Sequence, residues 1–157
     1  MRFDYLLPKD LKETSDILFN IKESVPLAGG TDLLVKLRDG KESCKAVVDI
    51  KSVNEAKGIS WNGNSLFIGA LTTVTEINES KIIKENYPIL IDAAKVFGCY
   101  EIRNRATIGG NIAHASPGAE FVPPLTVLGC NCIMYGRNGR KSIPLLSFIT
   151  GVNKTLL

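Results

Sequence analysis

"PLAGGTDLLV", residues 26–35, decides the fold of this chain. A short apolar run enters a Gly-Gly pair, passes Thr31 and Asp32, and leaves in an apolar stretch of helical spacing. That is the pattern of a buried strand turned sharply into a helix. Two readings stand open at this joint: a tight turn alone, or a cradle for phosphate. Glycine lets the backbone take a positive φ and approach a ligand closely. Consecutive N–H groups there form a concave anion site, and the start of the following helix adds positive potential. Thr31 is placed to cap that helix, which carries Leu33, Leu34 and Leu37 and which Gly40 ends.

Outward from this joint the first third alternates strand and helix. Residues 3–7 read as a strand closed by Pro8, and a helix follows with Leu11, Leu18 and Ile21 on one face. Residues 25–28 and "AVVDI", 46–50, are short buried strands. A composition shift at residues 51–58 divides a small N-terminal lobe, 1–55, from a larger one, 56–157. The larger lobe opens with "ISWNGNSLFIGA", 59–70, a hairpin turning on Asn62-Gly63. A short helix falls in 72–80. A longer one starts near Pro88, with Leu90, Ala93, Ala94 and Phe97 as its stripe and Gly98 as its stop. "YEIRNRATIGGNIAHASPGAE", 100–120, has few large apolar residues and reads as a long functional loop. A helix from about Pro123, a hairpin over 131–145 turning on Asn138-Gly139, and a last short helix over 145–151 complete the pattern.

The long loop holds a second glycine pair, Gly109-Gly110, flanked by Thr107 and Asn111. One diglycine joint is most simply a turn; two of the same kind in one short chain point to a bridging pyrophosphate.

Other chemistries are excluded by what is missing. Nineteen basic and sixteen acidic residues, net +3, are spread along the chain without a basic block, which argues against nucleic acid. No apolar run approaches the ~20 residues of a membrane span, and the N-terminus is not a secretion signal. The four cysteines form no C-x-x-C pair, so zinc, iron–sulfur ligation and a disulfide framework are not expected. A cytoplasmic protein with free, mostly buried thiols is expected instead. There is no G-x-x-x-x-G-K-[ST], no G-x-G-x-x-G and no G-x-S-x-G, and the single histidine supports no hydrolytic triad. No catalytic or metal-ligating residue is proposed. "FITGVNKTLL" ends on two leucines without a polar tail, so a continuation, a split or a truncation is expected there.

Four stretches, "PLAGGTDLLVKLRDG", "FIGALTTVTEI", "IRNRATIGGNIAHASPGAE" and "GVNKTLL", follow one another in this order. Together they resemble the FAD-binding flavoprotein subunit, or medium chain, of the molybdenum hydroxylases, a family that includes xanthine and carbon monoxide dehydrogenases. The resemblance implies an α+β, two-lobed FAD-binding domain of the vanillyl-alcohol-oxidase (PCMH) type. Its small lobe would be α/β, its larger lobe an antiparallel sheet with helices, and FAD would lie between them. It implies a first pyrophosphate loop of Leu27, Ala28, Gly29, Gly30, Thr31, Asp32 and Leu33. The second loop would be Thr107, Ile108, Gly109, Gly110 and Asn111, with Asn111 reaching the flavin or the pyrophosphate. Phe97 would pack against the cofactor, or simply fill the core. Ser116 and Glu120 fall in a stretch where the family usually has Asp at the second position; Glu120 would still offer a carboxylate to a ribityl or ribose hydroxyl. Arg103 and Arg105 would meet phosphate or a partner subunit, and His114 would be solvated or touch flavin.

The function so implied is electron transfer. A molybdopterin-binding large subunit and an iron–sulfur small subunit would supply electrons, and NAD or another acceptor would take them. No acid–base pair is needed for this, because the chemistry belongs to the cofactor. The family chain continues beyond "KTLL", which leaves a second possibility: a truncated scaffold with weak or no FAD binding. A stand-alone oxidase of the related covalent-flavin type has no room here for its substrate domain.

Overall fold

Three short strands of the first fifty residues run parallel, because the crossovers between them are helical. The computed structural model describes residues 2–157. Strands β1 (Asp4–Leu6), β2 (Ser24–Leu27) and β3 (Ala46–Asp49) form a sheet in the order β1-β3-β2. The central strand is buried along its whole length, which is why its first three residues, Ala46 to Val48, are a continuous apolar run rather than an alternation. Leu27 pairs with Asp49 and Leu6 with Val48, so the three strands end at one edge of the sheet. Ligands of open parallel sheets gather beyond that carboxyl edge.

The crossovers are α1 (Leu11–Asn20) and α2 (Leu33–Arg38). Asp10 caps α1, its carboxylate accepting from Glu13 N at 2.7 Å. The cap expected from Thr31 on α2 is not made. Asp32 is the N-cap residue, its backbone already in the right-handed region, and its side chain makes no cap bond either. Leu27, Leu37 and Val47 form a small core under the sheet, with Val25 and Leu33 packed against it.

Two 3-10 turns, Ile50–Ser52 and Asn54–Ala56, lead into the remainder of the chain. There β4 (Ile59–Trp61) pairs with β5 (Leu66–Ile68), and helices α3 (Val74–Glu79), α4 (Lys81–Asn86) and α5 (Pro88–Val96) follow. Thr73 and Glu76 close a full capping box on α3. The α5 stripe packs with Val74, Ile77, Phe121, Leu145 and Phe148 into the larger core.

Residues 100–120 are not one loop. They contain α6 (Tyr100–Arg103) and α7 (Ile108–His114). Thr107 Oγ1 accepts from Gly110 N at 3.1 Å and starts α7, and Ile108 and Ile112, four apart, pack into the core. Helix α8 (Val122–Val127) precedes a hairpin of β6 (Asn131–Gly136) and β7 (Gly139–Pro144). The final segment holds only one turn of helix, α9 (Leu145–Phe148), before β8 (Ile149–Gly151) pairs with β9 (Lys154–Thr155). The antiparallel strands therefore form three separate ladders rather than the one sheet expected.

The thiols are less buried than expected: Cys99 is exposed and Cys44, Cys130 and Cys132 are half-buried, all unpaired. Burial raises the thiol pKa values of Cys44 and Cys130, and with Cys130 alongside it brings Cys132 to about 11. These thiols are poor nucleophiles. No helix of the described residues is long and apolar enough to cross a membrane.

Candidate functional site

The first diglycine motif meets, through its backbone, the run that leads into the second. A Cβ on Gly29 would lie 2.0 Å from Arg105 O and 3.0 Å from Ala106 Cα, so only glycine fits where the first loop crosses the run into α7. Gly30 sits at φ 78°, a left-handed conformation that turns the chain from β2 towards α2. Among the described residues, the N–H groups of Gly29, Gly30, Thr31 and Asp32 donate no hydrogen bond. Four consecutive open donors on one bend are an anion-accepting arrangement.

The second pair is built differently. Ile108 N donates to Thr72 O at 3.0 Å, Gly109 N to Ala70 O at 2.9 Å, and Gly110 N to Thr107 Oγ1. Neither glycine has a positive φ. A Cβ on Gly109 would lie 2.6 Å from both the Cβ and the carbonyl oxygen of Ala70. This pair is small so that α7 can seat against residues 70–72, and its first amides are already used. The two loops are therefore not alike: the first carries four consecutive open donors, whereas in the second, among the described residues, only the Thr107 N–H donates no hydrogen bond.

The other expected contacts divide in the same way. Asn111 does not project freely; its Nδ2 donates to Glu120 Oε2 at 3.3 Å and its Oδ1 accepts from Phe121 N at 3.3 Å. The link ties α7 to the start of α8. Ser116 Oγ accepts from Gly118 N within its own turn. Phe97 is 9% exposed, with its ring 5.8 Å from that of Phe121, so it fills the core. Leu27 and Leu33 lie in the small core beneath the first loop, and Ala28 is half-buried. Arg103 Nη1 donates to Lys95 O at 3.1 Å and Phe97 O at 3.4 Å, which closes the C-terminal end of α5.

Arg105 faces the other way. With Gly29, Lys51, Lys57, Thr73 and Thr107 it lines a cavity of about 230 Å³. Lys51 Nζ lies 2.6 Å from Asp49 Oδ1, whereas Lys57 and Arg105 have no carboxylate partner among the described residues. Lys57 and Arg105 stand on the same cavity wall as Gly29, which Glu76 also lines. The two lysines and Asp49 escaped the sequence reading because nothing in their local pattern marks them; the two 3-10 turns that follow β3 bring Lys51 and Lys57 to the cavity at Gly29, and Asp49 holds Lys51.

Asp49 is the buried anchor of this group. Its carboxylate accepts from Tyr5 Oη, from Lys51 Nζ and, at 3.0 Å, from Lys51 N. Burial alone would raise its pKa, but the bonds from Lys51 and Tyr5 outweigh it and hold the pKa below the ordinary aspartate value. The same bond, first among its causes, raises the pKa of Tyr5. A carboxyl depressed in the folded state contributes its stability above the unfolded value, near pH 4, and loses it as pH falls through the folded one. Urea unfolding from about pH 3 to 7 is expected to show this acid-side slope, and Asp49→Asn is expected to flatten it. Equal slopes in the two proteins would place the acid sensitivity elsewhere.

The first loop is also joined to the far end of α7. His114 Nδ1 lies 3.7 Å from Asp32 Oδ2, and His114 Nε2 lies 3.1 Å from Asn153 Nδ2 in the turn between β8 and β9. The expected loop histidine is thus a three-way junction with its side chain a quarter exposed.

Comparison with known proteins gives this geometry its setting. Residues 1–157 match the family described as the FAD binding domain in molybdopterin dehydrogenase. The chain is 33% identical over 157 residues to the carbon monoxide dehydrogenase medium chain of Hydrogenophaga pseudoflava, covering 99% of this chain and 55% of that one. It is 34% identical over 151 residues to the nicotinate dehydrogenase FAD-subunit of Eubacterium barkeri, covering 95% and 51%. The solved quinoline 2-oxidoreductase from Pseudomonas putida 86 superposes with a TM-score of 0.96 at 29% identity, covering 100% of this chain and 55% of that one. The chain spans about half the length of the curated relatives it matches. Matched from end to end, this α+β chain belongs to the family of FAD-binding domains of molybdopterin dehydrogenases.

Proposed function

We propose that the chain is the flavin-binding part of an electron-transfer subunit, standing between iron–sulfur clusters on a small partner subunit and NAD or another acceptor. A molybdopterin-binding large subunit completes the assembly in this reading, and the assembly works in the cytoplasm. FAD, when bound, supplies the chemistry that exchanges single electrons with such clusters and a hydride with an acceptor. The observation that carries the reading is the run of four open N–H groups at Gly29–Asp32, with Lys51, Lys57 and Arg105 lining a cavity at its first residue, Gly29. This donor set fits a diphosphate: consecutive main-chain donors suit its oxygens, and cations line the cavity at Gly29.

The chain's own residues have three tasks. Gly29, Gly30, Thr31 and Asp32 present amides to the diphosphate. Thr107 to Asn111, with Ser116 and Glu120, form the opposite wall, where the Asn111–Glu120 bond holds a carboxylate ready for a hydroxyl of the cofactor. Leu27, Ala28, Leu33 and Phe97 support these surfaces from below. The division at residues 55 and 56, and the PCMH-type arrangement of two lobes around the cofactor, agree with the two separate cores.

One observation favours the second reading, a scaffold with weak FAD binding: the amides at the start of α7 are already bonded within the protein. A single titration distinguishes the two. Purified chain is expected to quench FAD fluorescence saturably and to show the bands of bound flavin. Gly30→Val forces a β-branched residue into the left-handed region and re-aims the amides around it. Losing two charge-assisted bonds of about 1.5 kcal/mol each raises the Kd roughly a hundredfold, with the far-UV spectrum near native. A wild-type chain that takes up no FAD supports the scaffold; normal binding by the variant removes the loop from the site.

A further inference from the structure

The chain has one histidine, His114, the last residue of α7, and three segments converge on it. Asn153 Nδ2 lies 3.1 Å from its Nε2 and donates to its carbonyl oxygen at 3.2 Å. Asn153 N donates to Ala115 O at 2.9 Å. These bonds fix the amide's orientation, because turning it over would set Oδ1 against the His114 carbonyl. Nδ2 therefore donates to Nε2, and the proton of the neutral ring sits on Nδ1. Nδ1 faces Asp32 Oδ2 at 3.7 Å, beyond hydrogen-bond length but close enough for the N–H dipole to attract the carboxylate. Two left-handed residues frame this junction: Asn153 at φ 55°, a conformation Asn tolerates, and Ala115 at φ 48°, the C-cap of α7, where an alanine is unusual. The Asn153 N–H bond to Ala115 O ties these two positions together.

Asp32 is awkward in a loop whose amides face an anion. Its carboxylate would repel a diphosphate unless it were drawn aside and its charge offset. We propose that His114, fixed by Asn153 as the Nδ1–H tautomer, is a positioning residue: it draws the Asp32 carboxylate aside and keeps the Gly29–Asp32 amides open to the FAD diphosphate. This rests on the reading that FAD binds at that loop. His114 touches neither the reacting atoms nor, in this assignment, the phosphates; it acts through Asp32.

Because the histidine is single, ¹⁵N-labelled full chain gives unambiguous imidazole signals. Long-range ¹H–¹⁵N spectra are expected to show the Nδ1–H tautomer, whereas a solvated histidine favours Nε2–H. Asn153→Ala is expected to return the ring to the solvated preference. FAD titration supplies the functional arm. His114→Ala is expected to raise the FAD Kd about tenfold with Asp32 in place, the equivalent of one lost hydrogen bond. In an Asp32→Asn background the same change is expected to cost roughly twofold or less, since there is no longer a charge to draw aside. A merely structural histidine would cost the same in both backgrounds, and that result overturns the inference. So does an Nε2–H ring in the wild type. Should His114→Ala not be recovered folded, His114→Gln and Asn153→Ala are carried through the same cycle. A wild-type chain that binds no FAD overturns the functional reading and this inference with it. A wild-type chain that binds FAD no better than the variants overturns the inference alone.

Discussion

Gly29→Ala is expected to destabilise the folded chain by about 3 kcal/mol and to abolish FAD binding together with it. The added methyl would lie 2.0 Å from a carbonyl oxygen, 2.7 Å from its carbon and 3.0 Å from the next Cα. All three are backbone atoms of Arg105 and Ala106, so no side-chain rotation relieves the overlap. The run into α7 has little freedom to retreat. Ala106 N donates to Ile102 O at 2.7 Å, Val74 N donates to Ala106 O at 3.0 Å, and Thr107 bridges Thr73. Relief therefore has to come from the first loop, whose open amides would then point elsewhere. Urea unfolding and FAD titration, run together, check this. Gly136→Ala is the control: nothing lies within 4 Å of its Cβ position, its φ is ordinary, and little change is expected. Native stability in Gly29→Ala would show that the two segments do not touch as described.

Phe121→Ala is expected to cost about 3–5 kcal/mol, the range for emptying a fully buried aromatic site. Phe121 is fully buried, packs on Phe97, and its N–H donates to Asn111 Oδ1. Removing the ring hollows the core beneath the Asn111–Glu120 link, so the wall of the site should loosen as well. Phe121→Leu, which keeps most of the volume, is expected to lose under half as much. The check is the urea midpoint at unchanged m-value. A loss below about 1 kcal/mol for the alanine variant would mean that this core collapses readily around the space.

These two sites show what was legible in the letters and what was not. The strand-to-helix joint at Gly29-Gly30 was readable because a buried run, a turn and a helical spacing follow one another within ten residues. β3 was readable because a central parallel strand needs apolar residues on both faces. The hairpins at Asn62-Gly63 and Asn138-Gly139 announced themselves by turn chemistry. Helix α7 was hidden, since two glycines in its first turn removed the apolar signal that Ile108 and Ile112 alone were too sparse to supply. The last hairpin was hidden because its turn rests on Asn153 in a left-handed conformation rather than on a glycine. The state of the amides was not readable at all. Whether Gly109 N is open or spent depends on Ala70 O, a partner from a distant part of the chain. Lys51 and Lys57 likewise became neighbours of Gly29 only through the tertiary fold.

The crossing of Gly29 with Arg105 and Ala106 has a last consequence, for engineering. The ten-residue string is not a transplantable module. Half of the mould that shapes it is borrowed from main chain 76 positions downstream (105 − 29). A synthetic peptide, or a graft onto another strand–helix scaffold, would carry the right letters and collapse to an ordinary bend.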